Sequence, residues 1–306
     1  MTTQLTTAPV RERPPVRAPR PARRSRRTLA GLAFCAPALV VTIAFTVYPL
    51  AQSIRLSFVS WDLIGEQRYV GLDNYTHLAG DAAFRTSVTN TVVYTVATLI
   101  GTYVVALAAA LLLHQQLRAT RILRTIAVVP VLLPMVVAGL VWRWLLEPES
   151  GLVTFLVEGV TGYSPNWLFD TSLALPSVIL VGVWKEFGLY MLVFLIGLQG
   201  IRPELIEAAQ LDGAGGWQRF RFVTLPLLRP ASIFAITLIT FNSLKVFDQI
   251  YVMTRGGPGG ATRSVVMFVY ENLLTNVGLA SAASVVLFVV ALTVSVLRFR
   301  RDRSRP

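Results

Sequence analysis

The chain alternates long apolar runs with short polar segments. Six runs, Thr28 to Leu50, Thr91 to Leu113, Thr125 to Leu146, Leu173 to Leu198, Ala231 to Met253 and Leu279 to Leu297, are each long enough to cross a bilayer. The hydrocarbon layer is about 30 Å thick and needs about 20 apolar residues in a helix. Backbone groups inside it have no water to bond, so a spanning segment must satisfy its own hydrogen bonds, as a helix does. The pattern predicts an all-α membrane protein with six transmembrane helices over residues 28–298. Prolines 37, 130, 134 and 176 lie within runs and each predicts a kink or irregular turn, because proline removes a donor and crowds the carbonyl four residues back.

Orientation follows from the basic residues. The N-terminal tail, residues 114–124, residues 199–230 and the C-terminus together carry twenty Lys and Arg, whereas the alternate segments carry Arg55, Arg68, Arg85, Arg255 and Arg263. Cationic loops stay on the cytoplasmic side, so both termini are expected in the cytoplasm. Nine acids, from Asp62 to Glu271, fall in the outer segments.

Composition agrees with a membrane protein. Of 306 residues 54% are hydrophobic and 14% charged, against an average charged share of about 25% for soluble domains. The net charge of +12 sits at the ends of apolar runs and forms no stripe on a domain, which argues against nucleic acid as a partner. Residues 1–27 hold eight arginines and five prolines without apolar periodicity and read as a disordered basic cytoplasmic tail. Residues 299–306 read as a short basic C-terminus. A twin-arginine signal and lipidation at Cys35 are both rejected, because the first run outlasts a signal core and Phe34 is too bulky before a lipidated cysteine. One cysteine allows no internal disulfide, and His77 and His114 lie far apart, so no metal site is expected.

Four charges stand near the middle of predicted spans: Lys185 and Glu186 in the fourth, Lys245 and Asp248 in the fifth. A bare charge at that depth costs about 2.5 to 3.5 kcal/mol on insertion scales, so these side chains should face protein or a water-filled cavity. In a continuous helix Asn242, Lys245, Asp248 and Gln249 form one polar stripe, and Gly182, Lys185, Glu186 and Leu189 cluster likewise on the fourth span. Two readings stay open at this point. The charges line a path for a hydroxyl-rich solute, with Trp184, Phe187 and Tyr190 as stacking faces, or they pair as Lys185 with Asp248 and Glu186 with Lys245 to hold the bundle together.

The segment Glu207 to Pro226, EAAQLDGAGGWQRFRFVTLP, is a polar interruption between the fourth and fifth spans. Pro203 and Glu204 suit a first helical turn, so a short helix is expected from Glu204 to Leu211, ending near Asp212-Gly213. Ala208 and Ala209 leave a smooth surface, and Glu207 supplies a charge for an external partner.

The pattern Glu207-Ala208-Ala209, Asp212-Gly213-Ala214 and Leu225-Pro226 resembles the EAA signature of binding-protein-dependent ABC importer permeases. Val70-Gly71-Leu72-Asp73-Asn74-Tyr75 and Thr254-Arg255-Gly256-Gly257-Pro258 are similar to segments of sugar permeases of the maltose and glycerol-phosphate type. The resemblance implies that Glu204, Glu207, Ala208, Ala209, Asp212 and Gly213 form a coupling helix gripped by an ATPase subunit dimer. It further implies a second, homologous permease, an extracytoplasmic solute-binding protein and a sugar substrate. By the same likeness Lys185, Glu186, Leu189, Ser243 and Val246 fall at solute-contacting positions, although charges stand here where the maltose permease is uncharged. Asn242, Lys245 and Asp248 belong to the expected path through the stripe. Phosphorylated polyols, amino sugars and polyamines are the neighbouring solute classes, and a secondary transporter is the rival from another class. No G-x-x-x-x-G-K-[ST] motif occurs, so ATP and magnesium are expected on the partner ATPase and no cofactor on this chain; the permease is not expected to be an enzyme. The Gly256 to Gly260 run reads as a flexible outer loop.

Overall fold

The computed structural model describes residues 34–115 and 120–303, with side chains to residue 297. The expected basic tail, the first residues of the first span and the last three residues of the basic C-terminus lie outside the described residues. The chain divides into a unit ending at Gln52 and a unit from Ser53 onward.

Helix α1, Phe34–Leu56, is an apolar span. Over Ile43–Val47 it widens to a π-helical turn, closed by the Tyr48 N–H bonding to the Ile43 carbonyl. Pro49 follows two residues later and has no N–H for the carbonyl four back, and the wider turn relieves that crowding. A two-stranded antiparallel hairpin comes next, β1 Val59–Ser60 pairing with β2 Arg68–Tyr69, then α2, Asp73–Gly80. Helix α3, Ala82–His114, starts nine residues before the second apolar run because Asp81 caps it, accepting from Ala83 N at 2.6 Å and Phe84 N at 3.2 Å.

The third run is not one helix. It forms α4, Thr120–Leu132, and α5, Met135–Leu145, bent from each other by 102°. Pro134 holds extended angles at the junction, φ −57° and ψ 140°, and so ends one helix and starts the next. Pro130 stays inside α4 and Pro176 inside the first turns of α7, so proline position within the run decides whether a break follows. A short apolar helix, α6, Leu152–Thr161, precedes α7, Ala174–Gln199.

Helix α7 is the axis of the body, with Val178, Val181, Tyr190, Met191 and Phe194 almost fully buried. It packs chiefly against α3 and α4, and a glycine sets the second distance. A Cβ at Gly188 would run into the Ala127 carbonyl on α4, so the two backbones touch. After α7 come α8, Pro203–Leu211, and α9, Gly216–Leu227, which carries a second π turn over Phe220–Thr224 just ahead of Pro226. Helix α10, Arg229–Leu244, bends from α9 by 68°.

The fifth run breaks as well. Helix α10 ends at Leu244, and a new short helix, α11, Asp248–Met253, begins after Phe247, whose φ −144° and ψ −61° leave the helical region. Helices α12, Val265–Asn272, and α13, Val277–Arg303, complete the fold. Among the described residues four helices are long and apolar enough to cross a membrane, and six spans result if α4 with α5 and α9 with α10 each count as one.

Candidate solute path and coupling loop

Helices α7, α10 and α11 bring the intramembrane polar residues together. Asn242 on α10 donates to the Tyr190 hydroxyl at 3.5 Å, and Gln249 on α11 donates to the Val178 carbonyl at 2.8 Å. These two ties bracket Lys245 and Val246, so the break in the fifth run lies beside the middle of α7, at the level of Gly182 to Glu186. The expected polar stripe of Asn242, Lys245, Asp248 and Gln249 is therefore not one helical face. Asn242, Lys245 and Asp248 are exposed, whereas Gln249, Ser243 and Val246 are buried. On α7 the helix is continuous: Gly182 is buried, Lys185 and Glu186 are half-buried, and Leu189 is exposed.

Neither expected ion pair forms. Among the described residues the salt bridge joins Arg263 and Glu271 at 2.8 Å, and Lys185, Lys245, Glu186 and Asp248 have no opposite charge within 4.0 Å. Lys245 Nζ instead stands 5.6 Å from the Phe241 ring centroid, a cation–π distance. One carboxylate oxygen of Glu186 is buried with no hydrogen-bond partner among the described residues, as is the Ser243 hydroxyl. A buried polar atom without a partner costs free energy, so these two groups stand out among the mid-bundle residues.

The aromatic residues divide differently from the sequence expectation. Tyr190 is fully buried and offers no stacking face. Trp184 meets Trp142 edge-on at 5.2 Å, so Trp142 on α5 joins the wall. Sequence reasoning missed Tyr94 on α3, whose hydroxyl would sit 2.6 Å from a Cβ at Gly182, next to the Gln249 amide. The signal was present: Thr91, Tyr94, Thr95, Thr98 and Thr102 recur at spacings of three and four along the second run and form the buried polar side of α3.

The loop between α7 and α10 matches its expectation closely. Helix α8 opens with Pro203 at its first position and Glu204 in its first turn, and no residue in it is buried. It closes at Asp212, with Ala214 N bonding back to the Ala209 carbonyl at 2.9 Å and Gly213 at φ 79°, in the left-handed region glycine tolerates. Glu204, Glu207, Ala208, Asp212 and Gly213 are exposed and Ala209 is partly so. Leu211 is 90% and Trp217 72% exposed, an apolar edge beside the acids.

The Gly256 to Gly260 run is not a flexible loop. Asn90 donates to the carbonyls of Gly260 and Arg263 at 2.9 and 3.1 Å, and Thr262 donates to the Gly257 carbonyl at 2.7 Å. Ser264 then donates to the Val246 carbonyl at 2.8 Å, tying this loop to the break in the fifth run. Glycines placed the backbone in left-handed conformations there, and the side chains of α3 fixed it.

A multi-pass membrane protein with an exposed helix in one connecting loop and unpaired polar groups at mid-bundle is a transport permease in architecture. The family model described as "Binding-protein-dependent transport system inner membrane component" matches residues 102–301, and the chain belongs to that family. It is 35% identical over 286 residues to the trehalose/maltose transport system permease protein MalF of Thermococcus litoralis, covering 90% of this chain and 96% of that one. It is 33% identical over 287 residues to the sulfoquinovosyl glycerol transport system permease protein SmoG of Agrobacterium fabrum, covering 90% and 91%. The fold matches that of a bacterial alginate ABC transporter crystallised with an alginate pentasaccharide-bound periplasmic protein, with a TM-score of 0.81, 21% identity, and coverage of 94% of this chain and 98% of that chain. The chain is thus an inner-membrane ABC importer permease that works with a binding protein, and it is not an enzyme.

Proposed function

We propose that this chain is one of two homologous permeases in an ATP-driven sugar importer, with α8 docked on an ATPase dimer. The observation that carries the reading is the continuity of α7, the α8 loop and α10. The helix that buries nothing lies, with α9, in the connection between α7 and α10, two of the helices that hold the mid-bundle polar groups. Movement imposed on α8 therefore reaches Lys185, Glu186 and Leu189 at one end and Asn242, Ser243, Lys245, Val246 and Asp248 at the other. In this reading Glu204, Glu207, Ala208, Ala209, Asp212 and Gly213 form the coupling surface. ATP and magnesium belong to the partner ATPase, both termini lie in the cytoplasm, and residues 28–298 form the permease domain between two basic tails.

Hydroxyls, an amide and charges of both signs suit a sugar, whose hydroxyls donate and accept. A second reading, an anionic sugar, is favoured by Lys245, exposed at mid-bundle with no carboxylate within 4.0 Å. The test is ATP hydrolysis by the reconstituted complex with its binding protein, using trehalose, maltose and sulfoquinovosyl glycerol in parallel. Stimulation by a sugar supports the reading; stimulation by polyamines or amino acids and by no sugar overturns it.

A further inference from the structure

Beyond the break in the fifth run, three aromatic rings close on one another. Phe247, at the break, stacks on Tyr251 of α11 with centroids 5.4 Å apart and planes 25° from parallel, and it leans on Tyr270 of α12 at 5.2 Å and 51°. Tyr251 and Tyr270 meet edge-on at 5.3 Å, with their hydroxyls 3.5 Å apart. Tyr251 stays 36% and Tyr270 46% exposed, so the cluster keeps open ring surface. Its frame is fixed on both sides. The Gln249 tie holds α11 to α7, and the Val265 N–H at the start of α12 bonds to the Thr91 hydroxyl on α3 at 3.0 Å.

The charges around the rings decide what meets them. Tyr251 follows Asp248 by three residues on α11, so ring and carboxylate share a side of that helix. Lys245 lines a groove of about 370 Å³ with Val266 and Val269 of α12, and Tyr270 stands one turn after Val266. Arg255 is near enough to the Tyr270 hydroxyl for its charge to act there. Lys245, Asp248 and Arg255 are exposed, and none has an opposite charge within 4.0 Å among the described residues. Bare ions are costly against hydrocarbon, so this side of the bundle faces water and not lipid. Tyrosines of a lipid-facing girdle also turn their hydroxyls toward headgroups, whereas these two turn theirs toward each other.

We propose that Phe247, Tyr251 and Tyr270 form a stacking platform for a sugar ring, with Asp248 and Arg255 binding the hydroxyls at its rim. The proposal rests on the importer reading and adds a station to its path, on the far side of the break from Asn242 and Ser243. A sugar ring carries C–H groups on its faces and hydroxyls around its edge. Open aromatic surface flanked by a carboxylate and a guanidinium matches both. A polyamine also suits aromatic faces, but Lys245 and Arg255 repel it. An acyclic polyol has the hydroxyls without the flat face. The stacking surface of the path thus lies on α11 and α12, whereas Tyr190, buried on α7, offers none.

The experiment uses the whole complex in proteoliposomes with its own binding protein, loaded with whichever of radiolabelled trehalose, maltose and sulfoquinovosyl glycerol drives uptake. Tyr251→Leu with Tyr270→Leu lowers the sugar imported per ATP hydrolysed about fivefold, the size of a lost aromatic contact. Tyr251→Phe with Tyr270→Phe keeps the rings and most of the wild-type ratio. An unchanged ratio in the leucine pair overturns the proposal, and so does an equal loss in the phenylalanine pair, which places the effect in the hydroxyls. Labelling answers independently of those variants. With the single cysteine removed by Cys35→Ser, Tyr270→Cys reacts with an impermeant maleimide, and an excess of the transported sugar slows the reaction where sorbitol does not. Equal rates with the two overturn the proposal. A cysteine that nanodisc lipid shields and detergent opens assigns the rings to lipid, and one shielded in the complex but open in the single permease assigns them to the partner permease; either overturns it. All these failures leave the importer reading intact, because wild-type uptake stands. A wild-type complex that no sugar drives brings down both readings.

Discussion

The side-chain amide of Gln249 on α11 lies 2.8 Å from the main-chain carbonyl of Val178 on α7. It pins the second piece of the broken fifth run to the central helix, where a continuous helix would need no such tie. Gln249→Leu removes the bond and should lower stability by about 1 kcal/mol, the usual size of a hydrogen bond inside a membrane bundle. Thermal unfolding of the purified permease pair checks this, and an unchanged midpoint would show that packing alone sets the break.

Gly188 and Gly216 form an internal comparison. A Cβ at Gly188 meets the α4 backbone, which has no rotamer with which to yield, whereas one at Gly216 meets nothing within 4 Å. Gly188→Ala should cost about 1 to 3 kcal/mol or prevent assembly, and Gly216→Ala should be close to neutral. Yield of the assembled complex on size-exclusion chromatography reads both. Equal yields would refute the close approach.

Glu207 is exposed and touches nothing that holds the bundle together. Glu207→Ala should therefore insert and assemble normally while solute uptake falls to background. Uptake at the wild-type rate removes α8 from the coupling role.

Lys245 has no ion-pair partner within the described residues. Lys245→Met relieves the insertion cost of a charge, about 2.5 to 3.5 kcal/mol at most, so yield should hold or rise. If the solute is an anionic sugar, stimulation by that sugar should drop while stimulation by neutral sugars survives. Parallel losses for both would assign the lysine to the bundle.

The hairpin tip carries its own pH dependence. N–H groups of Gly65 and Ile64 hold the Asp62 carboxyl below its ordinary value, so the contribution is present at neutral pH and lost as pH falls through the lowered value. Hydrogen exchange at those two amides should stay slow down to that range. Fast exchange already above the ordinary value of 3.8 contradicts the assignment.

Much of this was legible in the sequence, for a physical reason. Hydrocarbon demands long apolar helices, and the α8 loop announces itself with proline, acids and glycine at positions whose backbone preferences are strong. Breaks within runs were less legible. Pro134 splits a run while Pro130 and Pro176 do not, and the break after Leu244 has no proline at all; it depends on Gln249 and Ser264 finding carbonyls on other segments. Those partners are distant in sequence, so periodicity treats the run as one helix and draws Asn242, Lys245 and Asp248 on a single face. The tie from Asn90 was hidden for the same reason, since a polar residue just ahead of an apolar run gives no sign that it fastens a glycine loop 170 residues later.

The hydroxyls of Thr95 and Thr102, buried on α3 with no hydrogen-bond partner among the described residues, have a mechanical consequence. An interface locked by directional bonds resists sliding until they rupture together, but one held by methyl groups and close packing offers the same resistance at many small offsets. At Thr95 and Thr102 the contact of α3 is therefore held by packing without a directional bond, whereas Gln249 and Asn242 fix α11 and α10 to α7 by hydrogen bonds.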